Sequence, residues 1–163
     1  MKTLLVFRHA KSSWKNANLA DFDRPLNKRG KRDAPRMGEL IRREGIVPDL
    51  IICSSAERAL ATAEAAALAC GYDSEIKTTR QLYHAWSDEY LEVLNAVPDP
   101  HDRVMIVGHN PGMENLIEEL TGDWIRMPTA TLVQISLEID TWSELSFESS
   151  ALLVNFWRPK ELG

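Results

Sequence analysis

Short apolar runs that alternate with stretches of helical periodicity constrain this chain more than any other feature. Leu4 to Phe7, Leu50 to Cys53 and Val104 to Val107 are unbroken apolar tetrads, and helical spacing follows at Arg29 to Glu44, Glu57 to Cys70 and Met113 to Leu120. A strand covered on both faces reads as a continuous apolar run, because neither side of its pleat meets water. Strand and helix in turn predict βαβ units: an α/β fold with three layers, α/β/α, around a central, mostly parallel sheet. Thr131 to Leu137 and Ala151 to Trp157 are β-rich runs on either side of a turn near Asp140, and they predict an antiparallel edge pair on the same sheet. At 163 residues, with no repeat, linker or low-complexity segment, a single domain over 1–163 is expected.

Local signals set the helix boundaries. Ser54 and Glu57 have capping-box spacing, so a helix is expected just after the second run, ending near Gly71. Asn110 and Pro111 read as N-cap and first helical residue, which starts a helix one residue after His109. Its apolar face is Met113, Leu116, Ile117 and Leu120, stopping before Gly122. Pro35 interrupts the first helical stretch, which either restarts near Asp33 or kinks there before Gly45 ends it.

Charge and cysteine content exclude several classes. A net charge of -5 gives no general basic field, so neither nucleic acid nor a membrane surface is an expected partner. The opening apolar run is too short for a secretory or membrane segment, and Cys53 and Cys70 form neither a disulfide framework nor a metal-ligand spacing. A cytoplasmic protein without metal or cofactor is the expectation. The tryptophans, Met113 and the leucine faces read as core, and His101 as a surface residue.

Two of the apolar tetrads end alike, in Arg8-His9 and in Gly108-His109. Ligand crevices in open α/β sheets lie beyond the carboxyl ends of the strands, so both histidines are aimed at one. Arg58 belongs to the first turn of the helix after the second tetrad, where unpaired N–H groups already favour an anion. Two arginines and two histidines around one crevice suit phosphate: a guanidinium pairs two oxygens at once, and an imidazole offers a lone pair or a donor. No carboxylate cluster, P-loop or metal-ligand group competes in the sequence, which points to covalent transfer through a side chain. Cationic neighbours disfavour a second positive charge, so Arg8 and Arg58 are expected to keep His9 neutral and nucleophilic.

At Arg8-His9-Ala10-Lys11-Ser12-Ser13-Trp14 the sequence resembles the histidine phosphatase superfamily, the phosphoglycerate mutase-like proteins, whose opening signature is Arg-His-Gly; Ala10 stands for the glycine. The resemblance continues at Ser54-Ser55-Ala56-Glu57-Arg58 and at Val107-Gly108-His109-Asn110. Arg24-Pro25-Leu26 with Gly30 resembles the compact phosphohistidine phosphatase branch, of which the bacterial SixA proteins are the type. The resemblance implies a phosphohistidine intermediate, with His9 as nucleophile and Arg8, Arg58 and His109 holding the phosphoryl oxygens. It also implies substrate contacts for Ser12 and, less directly, Asn110. Larger relatives carry a glutamate acid in a Leu-x-Glu segment where this chain has Leu82-Tyr83-His84, which leaves His84 as the candidate proton donor.

A weak or missing donor suits P–N cleavage, because a protonated imidazole departs neutral, better than P–O cleavage, where a departing alkoxide needs the proton. The expected activity is therefore dephosphorylation of phosphohistidine on a partner protein. The alternatives are a phosphatase or mutase for a small phosphoester, with His84 or Glu89 as acid, and a non-catalytic phosphate-binding relative. A cysteine phosphatase through Cys53 is disfavoured, since that motif needs five residues between Cys and Arg, and Cys53 and Arg58 enclose four.

Overall fold

The computed structural model describes residues 1–162. Four parallel strands form most of one sheet: β1 (Lys2–Arg8), β2 (Leu50–Ser54), β3 (Ile76–Thr79) and β4 (Arg103–Gly108). Beyond β1 come β5 (Leu132–Leu137) and β6 (Ala151–Trp157), both antiparallel to their neighbours, so the order is β3-β2-β4-β1-β5-β6. Mostly parallel with an antiparallel margin, this is the α/β architecture expected from the alternation of runs. The connection from β5 to β6 is longer than a turn at Asp140, because a 3-10 turn at Trp142–Glu144 buries Trp142 on the way.

Alternate residues of each strand face opposite layers, as the pleat requires. Leu5 and Phe7 join Met37, Ile41, Ala63 and Met105 beneath α1 (Lys28–Arg43) and α2 (Glu57–Cys70). Leu4 and Val6 join Ile106, Tyr90, Leu94 and Leu116 beneath α3 (Ser87–Asn95) and α4 (Gly112–Thr121). All four β1 residues are fully buried. Truncating Phe7 to Ala would cost about 3 to 5 kcal/mol through lost burial and the cavity left behind. Gly38 lets α1 approach α2, since a Cβ there would run into the Ala66 carbonyl. Neither α3 nor β3 was among the elements expected from sequence. No helix is long and apolar enough to cross a membrane.

Several helix starts differ from expectation for reasons that concern the site. Pro35 lies inside one continuous α1, which begins at Lys28 with the Asn27 side chain accepting from the Gly30 N–H. Ser54 forms no capping box with Glu57: α2 starts behind Ala56, and the Ser54 hydroxyl turns instead toward His109. Pro111, rather than Asn110, occupies the N-cap of α4, which begins three residues after His109; Asn110 Oδ1 still accepts from the Glu114 N–H at 3.3 Å. Three tryptophans read as core are exposed, Trp14, Trp86 and Trp124. Of these, Trp14 lies under the Arg24 guanidinium, 3.8 Å from its ring centre, an amphipathic stack that tolerates water on one face. His101 is half-exposed and sits 3.3 Å from Asp49.

Candidate active site

Beyond the carboxyl ends of β1, β2 and β4 lies a crevice of about 320 Å³, and all seven residues singled out from the sequence line it: Arg8, His9, Ser12, Arg58, His84, His109 and Asn110. His9 leaves β1 with its N–H on the Gly108 carbonyl and its own carbonyl on the Ala130 N–H. Its Nδ1 is 2.7 Å from the Ala10 carbonyl oxygen. A carbonyl only accepts, so Nδ1 carries the proton and the Nε2 lone pair faces the crevice. There the Arg58 Nε–H approaches Nε2 at 3.4 Å.

One buried hydroxyl ties this corner together. Thr62 Oγ1 accepts from the Ala10 N–H at 2.9 Å and donates to the Arg58 carbonyl at 2.7 Å, so the residue after His9 and the first turn of α2 share a single link. Arg58 itself is 7% exposed. Arg8 crosses to the loop before β5, where its Nη1 donates to the Met127 carbonyl at 2.9 Å; its buried Nε has no partner among the described residues.

His109 is held differently. Its N–H donates to the Tyr90 hydroxyl at 3.0 Å, and that hydroxyl donates back to the His109 carbonyl at 3.3 Å. Gly108 makes this possible, because any Cβ there would collide with the Tyr90 hydroxyl. His109 Nε2 lies 2.8 Å from Ser54 Oγ, and its Nδ1 lies 3.5 Å from Arg58 Nη2. Ser54 Oγ also accepts the Ala56 N–H at 3.2 Å. A guanidinium only donates, so beside Arg58 Nδ1 holds the lone pair and Nε2 donates to Ser54 Oγ; because that hydroxyl can also donate, the tautomer can reverse once Arg58 turns to an oxygen of a bound anion. The two imidazole centres stand 5.1 Å apart.

The remaining predicted residues are placed as follows. Ser12 lines the crevice at 7% exposure, bridged to Leu26. Asn110 reaches it too, but its Nδ2 donates to Glu114 and to the Met127 carbonyl, both at 2.9 Å, so the amide braces α4 against the loop before β5. His84 is exposed at the lip with φ of 57°, its ring 4.0 Å from that of Tyr83. Glu89, the alternative acid, lies away from the crevice and caps α3 by accepting from the Trp86 N–H.

Besides the supporting Thr62 and Tyr90, the sequence reading missed Asp21 and Tyr83. Asp21 brings a carboxylate into the crevice, where no carboxylate was expected. Its carbonyl accepts from Arg58 Nη1 at 2.7 Å, and its Oδ2 accepts from Arg58 Nη2 at 3.0 Å and from the Tyr83 hydroxyl at 2.7 Å. The only signal for Asp21 was its nearness to Arg24-Pro25-Leu26, and for Tyr83 its place beside His84.

Protonation follows from these contacts. Burial lowers His9 to about 4; the Ala10 carbonyl opposes this, and the charges of Arg58 and Arg8 add to it. The imidazole is neutral as expected, but burial outranks the cations as the cause. Burial, then the proximity of His9 and Arg58, takes His109 down to about 3. For Asp21 burial pushes upward, yet the Tyr83 hydroxyl and Arg58 prevail and hold the carboxyl below its ordinary range. Burial raises the Cys53 thiol to about 12, which removes it as a nucleophile. Among the described residues no group of three His, Cys, Asp or Glu side chains is placed to hold a metal ion.

Residues 4–103 match the family model of the histidine phosphatase superfamily, branch 1. Among solved structures, a candidate phosphohistidine phosphatase SixA from Agrobacterium tumefaciens superposes with a TM-score of 0.83 and 29% identity, covering 97% of this chain and 98% of that one. A second candidate SixA, from Nakamurella multipartitia, gives 0.85 and 28%, covering 97% and 96%. An uncharacterised protein of Mycobacterium leprae is 28% identical over 159 residues, 90% of this chain and 96% of the relative.

Proposed function

The chain belongs to the histidine phosphatase superfamily, and from that membership we propose that it is a metal-independent phosphatase that removes phosphate from phosphohistidine on a protein. The observation that carries the reading is the fixed tautomer of His9: with Nδ1 committed to the Ala10 carbonyl, Nε2 offers its lone pair to the crevice. In the first step Nε2 attacks phosphorus and the P–N bond to the substrate imidazole breaks. That imidazole, protonated on its other nitrogen, takes the bonding pair and leaves neutral. Arg8, Arg58 and His109 surround the three phosphoryl oxygens, where charge builds as the phosphoryl group passes between nitrogens. Water then attacks the phosphorus on His9, the second P–N bond breaks, and inorganic phosphate leaves. The protons of that water stay with the phosphate as His9 departs neutral, and Asp21, ionised on the same crevice, orients the water.

Two features support P–N over P–O cleavage. Asp21 is held ionised by Tyr83 and Arg58, so it is a poor proton donor to an alkoxide. The crevice is bounded by exposed side chains such as His84 and Trp14, an edge that a protein surface can approach. The second reading, a phosphatase for a small phosphoester, draws its support from His84, whose imidazole at the lip can serve as acid.

A rapid-quench experiment with phosphohistidine protein is expected to trap an acid-labile phosphoenzyme. In a matched panel that protein should be turned over far faster than sugar phosphates or nucleotides. Preference for a small ester would overturn the substrate assignment, and absence of any phosphoenzyme would overturn the covalent route.

A further inference from the structure

Beside the catalytic crevice runs a second depression of about 290 Å³, between α1, the loop before β5 and the C-terminal turn Pro159–Glu161. Six cationic side chains line it, Arg29, Arg32, Arg36, Arg126, Arg158 and Lys160, against two carboxylates, a local net charge of +4. The chain as a whole carries -5, so the positive charge is concentrated here against the general trend. Cations gathered on one face repel one another unless an opposite charge offsets them.

The protein supplies only part of that offset. Asp33, 4% exposed in the floor, lies 3.2 Å from Arg32, 3.3 Å from Arg36 and 4.0 Å from Arg29. Glu161 faces Arg158 at 3.4 Å. Arg126 and Lys160 are exposed, and neither side chain makes an ion pair among the described residues.

We propose that this groove docks an acidic stretch on the protein that bears the phosphohistidine, an inference that rests on the function proposed above. The floor is itself a carboxylate, so an anion pressed inward meets Asp33, whereas one lying across the rim meets the outward guanidiniums. Arg29, Arg32 and Arg36 extend over two turns of α1, about 10 Å, a spacing suited to several carboxylates along a surface rather than to one phosphate. The groove also adjoins the catalytic crevice. Thr129 lines both, and its Oγ1 accepts from Arg29 Nη2 at 3.2 Å. A protein whose phosphohistidine enters the crevice therefore lays its adjoining surface over these arginines, where carboxylates can pair with them bidentately.

The test is the double variant Arg126→Glu/Lys160→Glu, which leaves the side chains paired with Asp33 untouched. Against a phosphohistidine protein with acidic residues flanking the modified histidine, kcat/KM should fall about tenfold or more, chiefly through KM, and the loss should shrink at high salt. Hydrolysis of phosphoramidate should not change. A fluorescent glutamate-rich peptide without phosphate should bind the wild type and lose that binding in the variant. Unchanged KM for the protein substrate overturns the groove, as does a peptide that binds neither form or both alike. Anionic vesicles or duplex DNA occupying the groove while the peptide does not would also overturn it. A wild type that leaves both phosphohistidine protein and phosphoramidate intact defeats the proposed function instead, and the peptide then still decides whether the groove binds acidic chains.

Discussion

His9 and His109 leave adjacent parallel strands side by side, with Arg8 paired to Gly108 across β1 and β4, yet the two imidazoles are held by opposite kinds of partner. A backbone carbonyl, which only accepts, fixes His9 in one tautomer. A serine hydroxyl, which can do either, lets His109 exchange its proton once Arg58 no longer donates to its Nδ1. The difference fits the proposed division of work: a nucleophile needs one constant lone pair, whereas an oxygen-binding group gains from being able to supply a proton as charge accumulates.

The comparison can be broken at several points. His9→Ala should reduce turnover by about 10⁴-fold or more and abolish the trapped phosphoenzyme, the scale seen when a covalent nucleophile is removed. His109→Ala should cost about 10²- to 10³-fold, as for loss of one donor to a developing charge, with some phosphoenzyme still formed on His9. Phosphoenzyme that survives the first change and vanishes with the second would exchange the two roles. Next in size, Ser54→Ala should lower kcat about tenfold, because His109 loses the partner that lets its proton move, while labelling of His9 persists. Full activity in Ser54→Ala would show that the exchange is not used.

The smallest effect concerns pH. An unperturbed imidazole would lose about 16-fold of its neutral form between pH 6.5 and 5. With His9 at about 4, the free-enzyme kcat/KM for phosphoramidate should hold nearly level from pH 7 to 5. Stability bears the consequence. Both histidines titrate near 6.5 once unfolded, so the unfolded chain binds more protons between about pH 6.5 and 4. Stability is full above that window and falls as pH drops through it, which urea midpoints at pH 7 and pH 5 would measure. An acid limb near pH 6.5 in kcat/KM would place His9 in water rather than in the core.

Much of this site was legible because its information is local. A histidine at the end of a buried strand, or an arginine one residue into the following helix, has its direction set by the element that carries it. Asp21 and its partner Tyr83 come to the crevice region from irregular segments, and Asp21 lies far in sequence from both Arg58 and Tyr83, so no periodicity marks them. The Ser54 capping box failed for a related reason: spacing cannot show that a hydroxyl has a competing imidazole 55 residues away. Exposed tryptophans misled the core assignment because a guanidinium above a ring, as at Trp14, is a tertiary fact. The basic groove was hidden because its charges come from positions 29 to 36, 126 and 158 to 160.

Lodging the nucleophile on β1, between β4 and β5, has a dynamic consequence. Amides of the two central strands open only with the whole molecule, so β1, together with β4, should show the slowest hydrogen exchange. His9 is thus moored to the part of the fold that moves least. Any opening and closing during turnover is then expected at the other bank of the crevice, where Asp21 and His84 lie outside the strands and the α-helices.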